Sequence, residues 1–327
     1  MVQAAQQGLD LIDRKILAEL DRNARTGYSE LGKKIRIAKE TVKYRIRQLE
    51  KRGIIRGYYT VLNLPKLGFT IYRLYLRLHN TSPKIEKELT NYLNDSEKVA
   101  VFYRTTGPFH IALGVWARDI WEYEEFWLGL KARFGEYISD RHLSLMSEYL
   151  EFSRAYLHPS KDGGKLVFTT VGHDEPEKLD GLDLKLLAFL SNRARAPLVG
   201  MARALGTSLV TVRHHLKRLK DRKVIVGFRP ILDLAKLGKE YYKVDLWLRK
   251  FDCTDEIRSY IISQPEVTYT ERTLVSGDIE FDVEIGNFDA FIAFMDSVRA
   301  KFPQDIRDYE YYSRVRNHKT SYMPNLK

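Results

Sequence analysis

The stretch ETVKYRIRQLEKRGIIRGYYTVLNLPKLG, residues 40–68, returns 170 positions later as VTVRHHLKRLKDRKVIVGFRPILDLAKLG, residues 210–238, without a gap. Extending the comparison to residues 9–68 against 179–238 gives 20 identities over 60 positions. They include Asp10/Asp180, Asp13/Asp183, Ala24/Ala194, Arg25/Arg195, Thr41/Thr211 and Val42/Val212. The same offset carries Gly107 onto Gly277, each opening a strand-like run. An ungapped match of this kind marks a duplication, and a unit of roughly 150 residues is large enough to own a core.

Each copy opens with three helical patterns. In the first, Asp10 stands ready to cap a helix whose apolar residues recur at Ile12, Ile16, Leu17 and Leu20. A short helix follows over 28–35, and a third over 38–52 carries Val42, Ile46 and Leu49 on one stripe. Glycines 53 and 57 punctuate the chain, and IIRGYYTVL then has the β-branched and aromatic character of a strand, a wing. Beyond it the first copy alternates strand 71–78, helix 83–93, strands 99–105 and 109–116, helix 120–134 and strand 143–156. The second repeats the order over 241–249, 255–263, 267–274, 279–285, 288–302 and 306–316, which is a βαββαβ arrangement. The expected fold class is therefore α+β: two tandem units, each a winged helix-turn-helix followed by a ferredoxin-like βαββαβ domain. The expected boundaries are 1–64 and 65–157 for the first unit, a linker over 158–178, and 179–234 and 235–327 for the second. Within the linker, KLVFTTV is the one stretch with strand character.

Charge is concentrated in the repeated segments. The 327-residue chain carries a net +11, yet residues 9–68 hold 15 Lys and Arg against 7 Asp and Glu, and residues 179–238 hold 12 against 4. Each head is thus +8 and the remainder is acidic, which suits a polyanion-binding module on a milder scaffold. Hydrophobic residues make up 44% of the chain, enough for real cores. No apolar run approaches the roughly 20 residues that span a bilayer, and the first residues lack the pattern of a signal peptide. With Cys253 as the single cysteine, an internal disulfide and a cysteine-rich zinc site are excluded. A cytoplasmic protein without a membrane partner is expected.

On a wheel of 100° per residue, Val42, Ile46 and Leu49 define the buried side of the third helix. The other side carries Glu40, Lys43, Tyr44, Arg47 and Lys51, with Thr41 beside them. The second copy offers Val210, Thr211, Arg213, His214 and Lys217. A major groove admits one α-helix, and Arg and Lys are its usual readers, while Val210 suits a thymine methyl. Arg56 and Arg229 on the wings are placed for phosphate contacts.

These residues, from LDLIDRKILAELDRNARTGYSELGKKI to ETVKYRIRQLEKRGIIRGYYTVLNLPKLG, resemble the winged helix-turn-helix of the Lrp/AsnC, or feast/famine, regulators. The βαββαβ remainder resembles that family's ligand-sensing and oligomerising domain, so the likeness covers nearly the whole chain twice. It implies a transcriptional regulator of double-stranded DNA whose sensory domains pair, here within one chain and packed sheet to sheet, with further homo-oligomers in reach. It also implies an amino-acid-like effector. The family's Gly-acid-aromatic-acid turn reads Gly277, Asp278, Ile279 and Glu280 in the second copy, which makes Gly277, Asp278 and Glu280 the effector candidates. The first copy reads Gly107, Pro108, Phe109 and His110, with both acids gone. The turn into the third helix keeps Gly206 and Ser208 in the second copy but has Arg36 and Ala38 in the first.

No Ser/His/Asp or Cys/His arrangement stands out, and His214 and His215 are neighbours that do not share a helix face. The expectation is no enzyme, no catalytic residues, no metal and no cofactor. The competing resemblance is to siroheme decarboxylases, tetrapyrrole enzymes of the same fold, whose helix-turn-helix segments need not be basic.

Overall fold

The computed structural model describes residues 9–158 and 164–325. The first half runs α1 (Leu11–Arg22), α2 (Tyr28–Ile35), α3 (Lys39–Lys51), β1 (Ile55–Leu62), β2 (Thr70–Leu78), α4 (Pro83–Asp95), β3 (Val99–Thr106), β4 (Ile111–Ala117), α5 (Ile120–Phe134) and β5 (Ile138–Phe152). A connecting strand β6 (Val167–Val171) follows within the linker. The second half repeats the sequence of elements as α6 (Gly181–Leu190), α7 (Leu198–Leu205), α8 (Leu209–Asp221), β7 (Ile225–Leu232), β8 (Glu240–Leu248), α9 (Thr254–Ser263), β9 (Val267–Thr273), β10 (Ile279–Ile285), α10 (Phe288–Lys301) and β11 (Ile306–Thr320). Among the described residues no helix is long and apolar enough to cross a membrane.

Helix starts follow local chemistry. Asp10 accepts from the Asp13 amide at α1, Asp180 from the Leu182 and Asp183 amides at α6, Ser82 from Ile85 at α4 and Asn287 from Ala290 at α10. Strands alternate as a pleat requires. Tyr72, Leu74 and Leu76 of β2 pack with Leu89, Leu93, Phe126 and Leu130 from the helices. In the second half Val244 and Leu246 pack with Phe281, Val283, Phe291 and Met295.

Within each half the four strands lie in the order fourth, first, third, second: β5-β2-β4-β3 and β11-β8-β10-β9. The halves do not stack as two separate sheets. The fourth strand of each is 15 residues long and changes partners midway. Residues 138–145 of β5 pair with β2 and residues 146–151 with β9, while β11 pairs first with β8 and then with β3. Eight strands thereby close into one barrel, and β6 extends it alongside the far end of β5. Edge-to-edge closure replaces the expected sheet-to-sheet packing and gives each of the eight barrel strands a partner on both sides.

The barrel's inner face is charged. Lys243 pairs with Asp245 and Glu280, both buried, and Arg73 with Glu271. Asp282 and Glu284 are almost fully buried as well.

Candidate nucleic-acid interface

Both heads keep the α-helical trio around small apolar cores. Ile16, Leu17, Leu20, Leu31, Val42, Ile46 and Leu49 form the first; Leu186, Leu187, Leu190, Met201, Val212 and Leu219 form the second. The buried stripe of the third helix is therefore the one the sequence marks. On the outer side of α3, Glu40, Thr41, Tyr44, Arg47 and Lys51 are exposed and Lys43 is half-buried. On α8, Val210, Arg213, His214 and Lys217 are exposed and Thr211 is half-buried. Tyr44 and Val210 are 63% and 72% exposed, so both side chains are open to a partner.

Arg45 of α3, and His215 and Arg218 of α8, serve the fold instead. Arg45 donates to Asp10 at 2.6 Å and to Asp13 at 2.9 Å. In the second head the equivalent position is His215, 2.8 Å from Asp183, and Arg218 donates to both Asp180 and Asp183. The Arg218 hydrogen bond holds the Asp180 carboxyl down at about 2. Asp180, Asp183 and His215 bring possible metal-ligand atoms within 4.8 Å, but Arg218 already supplies a cation to both acids.

The turn into the third helix differs as the sequence indicates. Ser208 caps α8 by accepting from the Thr211 amide, whereas Ala38 offers α3 no side-chain cap. Arg36 ends α2 in the left-handed region at φ 61°, where Gly206 ends α7 at φ 63°. An arginine there bears steric strain that glycine avoids.

The two heads are joined to each other. β1 and β7 pair antiparallel, with Tyr59 opposite Arg229, the equivalent positions of the two copies. The Ala24 amide donates to the Phe228 carbonyl, and Ala194 donates to that of Tyr58. Arg25 donates to the Ala194 and Ala196 carbonyls, and Arg195 to those of Ala24 and Thr26. Sequence reasoning missed this contact, although the identical Ala-Arg pair at one offset was its signal.

The wing assignments need correction. Arg229 is fully buried; it donates to Asp21 at 2.7 Å and to Glu151, and its guanidinium lies over the Phe168 ring. It cannot reach a phosphate, because the strand that carries it is spent on the other head. Arg56 is exposed but its guanidinium is held by Asp233, just past the end of β7.

The turn at Gly277 also differs from expectation. A Cβ there would lie 2.7 Å from the Leu246 nitrogen, so only glycine fits. Asp278 accepts from the Leu248 amide at 2.7 Å. Glu280 is withdrawn as an effector contact: its carboxylate is buried and already matched by Lys243 at 2.6 Å and the Thr273 hydroxyl.

Comparison with known proteins follows this division. A profile of the AsnC-type helix-turn-helix domain matches residues 9–50, and one described as winged helix-turn-helix DNA-binding matches residues 179–226. The chain is 35% identical over 112 residues to the HTH-type transcriptional regulator Ptr1 of Methanocaldococcus jannaschii, covering 34% of this chain and 74% of that protein. It is 34% identical over 111 residues to the HTH-type transcriptional regulator LrpA of Pyrococcus horikoshii, covering 34% and 77%. Over its full extent the fold is similar to the crystal structure of the siroheme decarboxylase NirDL, with a TM-score of 0.63, 15% identity, and 96% of this chain and 94% of that one covered.

The last match overturns the expectation that the chain is no enzyme. That structure, which spans both halves, belongs to a decarboxylase, so this architecture gives no ground for excluding catalysis. At 15% identity the likeness is one of fold.

Proposed function

The chain belongs to the Lrp/AsnC family of helix-turn-helix transcriptional regulators, and on that premise we propose that it reads DNA as a covalent pseudo-dimer with two unlike heads. The heads would comprise residues 1–64 and 179–234, and residues 65–157 and 235–327 would be two ferredoxin-like halves merged through their edges. The single observation carrying the reading is the pair of exposed third-helix faces, alike in charge and different in side chains, on heads that one polypeptide ties together. Glu40, Thr41, Lys43, Tyr44, Arg47 and Lys51 would read one half-site; Val210, Thr211, Arg213, His214 and Lys217 would read the other. A homodimer's two-fold site becomes an asymmetric one. Selection of bound sequences from a random DNA pool, followed by mobility-shift titration, tests this. An enriched site with two different halves supports the reading, and the absence of any enriched sequence overturns it.

The full-length fold shared with a siroheme decarboxylase motivates a second assay. Anaerobic incubation with siroheme, followed by mass analysis of the tetrapyrrole, tests the decarboxylase reading: loss of carboxyl mass supports it and unchanged siroheme counts against it.

A further inference from the structure

Where the barrel meets the paired strands β1 and β7 there is a cavity of about 590 Å³, with a lobe of about 150 Å³ beside it. Six tyrosines face both spaces: Tyr59 from β1, Tyr103, Tyr149, Tyr241 and Tyr269 from barrel strands, and Tyr322 beyond β11. Two have hydroxyl partners, Tyr59 with Glu151 and Tyr241 with Asp282 at 2.5 Å. Among the described residues the phenols of Tyr103, Tyr149, Tyr269 and Tyr322 make no hydrogen bond. Their rings are ordered against one another: Tyr149 stacks on Tyr269 at 5.4 Å and Tyr322 on Tyr59 at 4.4 Å.

The cations of the wall fall into two groups. Arg56 is matched by Asp233, and Arg154 by Asp21 and Glu284. Arg314 is not matched. Its guanidinium is clamped 4.2 Å over the Tyr241 ring and 5.1 Å over that of Tyr103, and among the described residues it has neither a hydrogen bond nor an ion pair. Lys239 is likewise unpaired, its ammonium 4.6 Å over the Tyr156 ring, and burial lowers its pKa. Glu240, the remaining acid of the wall, is exposed and accepts from the Tyr242 hydroxyl.

A guanidinium brings five N–H donors in a planar fork. That of Arg314 is half-buried in the cavity wall, where desolvation is outweighed by the surrounding phenols and the Glu284 charge, which raise its pKa, and its donors are open to a ligand. A carboxylate satisfies the fork with two parallel bonds. Flat tyrosine walls favour a ring, and the free phenols favour polar substituents on it. The volume is that of a small-molecule site. We propose that this cavity binds a small aromatic carboxylate, its acid on Arg314 with Lys239 nearby and its ring among the tyrosines. None of Gly277, Asp278 and Glu280 lines it, so the site is separate from the turn that the family resemblance suggests. Binding itself does not rest on the DNA reading, although the strands β1 and β7 that tie the heads form part of the wall.

The test is calorimetric titration of the full chain, without DNA, by 4-hydroxyphenylacetate and indole-3-acetate, against 4-hydroxyphenylacetamide and inorganic phosphate. The expected result is saturable binding of at least one acid, weaker by about 10-fold or more for the amide and in the Arg314→Gln variant. Tyr269→Phe should weaken the hydroxylated acid more than the indole acid. Equal affinity for acid and amide, phosphate binding as tight as the acids, or no binding of either acid overturns the proposal. Should Arg314→Gln fail to fold, the acid–amide comparison on the unmodified chain still decides. Failure to bind DNA would leave this outcome untouched.

Discussion

Arg25 and Arg195 occupy equivalent positions in the two halves, and each reaches across to the backbone of the other: Arg25 to the Ala194 and Ala196 carbonyls at 2.6 and 3.0 Å, Arg195 to those of Ala24 and Thr26. Burial and the nearby Arg195 charge lower the Arg25 pKa, and both guanidiniums spend their donors on main-chain carbonyls. They fix the relative placement of the heads. Each Arg→Ala truncation should therefore cost about 1–3 kcal/mol of stability, the range for charge-assisted hydrogen bonds. Denaturant titration measures that cost. Affinity for a two-half-site DNA should fall in the same variants, while affinity for an isolated half-site stays near that of the unmodified chain.

Ala38→Ser should stabilise the first head. Its counterpart Ser208 accepts from the Thr211 amide, and α3 has no such cap. Gaining one is worth about 1 kcal/mol. Hydrogen exchange of the α3 amides would show the gain, and unchanged protection factors would refute it.

Asp21, Arg229 and Arg154 form a buried ionic group beneath the paired strands. Burial raises the Asp21 pKa, but the Arg229 and Arg154 charges and the Arg154 amide outweigh it and hold the carboxyl below 3.8. A depressed acid contributes stability above its unfolded value and loses it as pH falls through the folded one. Asp21→Asn should thus cost about 3–5 kcal/mol near pH 7, and the gap from the unmodified chain should narrow only below pH 3.8. Arg229→Met should be similarly destabilised, yet its folded fraction should keep full DNA affinity. A specific loss of DNA binding would return Arg229 to the interface.

The heads are legible in the sequence because their information is local: Asp10 and Ser208 cap, Val42, Ile46 and Leu49 mark a stripe, and the repeat confirms the register. The succession of strands and helices along each half is legible as well, because their apolar periods differ. Closure of the barrel is not, because nothing local says that β5 and β11 run 15 residues and change partners. The inner face misleads for the same reason. Arg73, Lys243 and Glu280 alternate with apolar residues, a pattern that locally suits a solvated face, but Arg73 finds Glu271 and Lys243 finds Glu280 on other strands. Arg229 is the sharpest case. Its acids, Asp21 and Glu151, stand 208 and 78 positions away, so a buried ion pair looks like a free cation on a wing.

The two third helices give the last prediction. Lys43→Ala with Arg47→Ala should weaken binding to the selected site by about 1–3 kcal/mol per lost base contact. It should relax sequence preference in one half-site only, and Arg213→Ala with Lys217→Ala should relax the other. The asymmetry can also be removed deliberately. Replacing Val210, Arg213, His214, Lys217 and Asp221 by Glu, Lys, Tyr, Arg and Lys gives α8 the outward face that α3 presents with Glu40, Lys43, Tyr44, Arg47 and Lys51. All five replaced residues are exposed, so the second head should keep its core and fold as before. Because β1 and β7 pair about equivalent positions, with Tyr59 opposite Arg229, the frame holding the heads is already close to two-fold. The selected consensus should then turn from asymmetric to palindromic. A consensus that stays asymmetric in this variant would mean that the outward helix faces do not read the DNA.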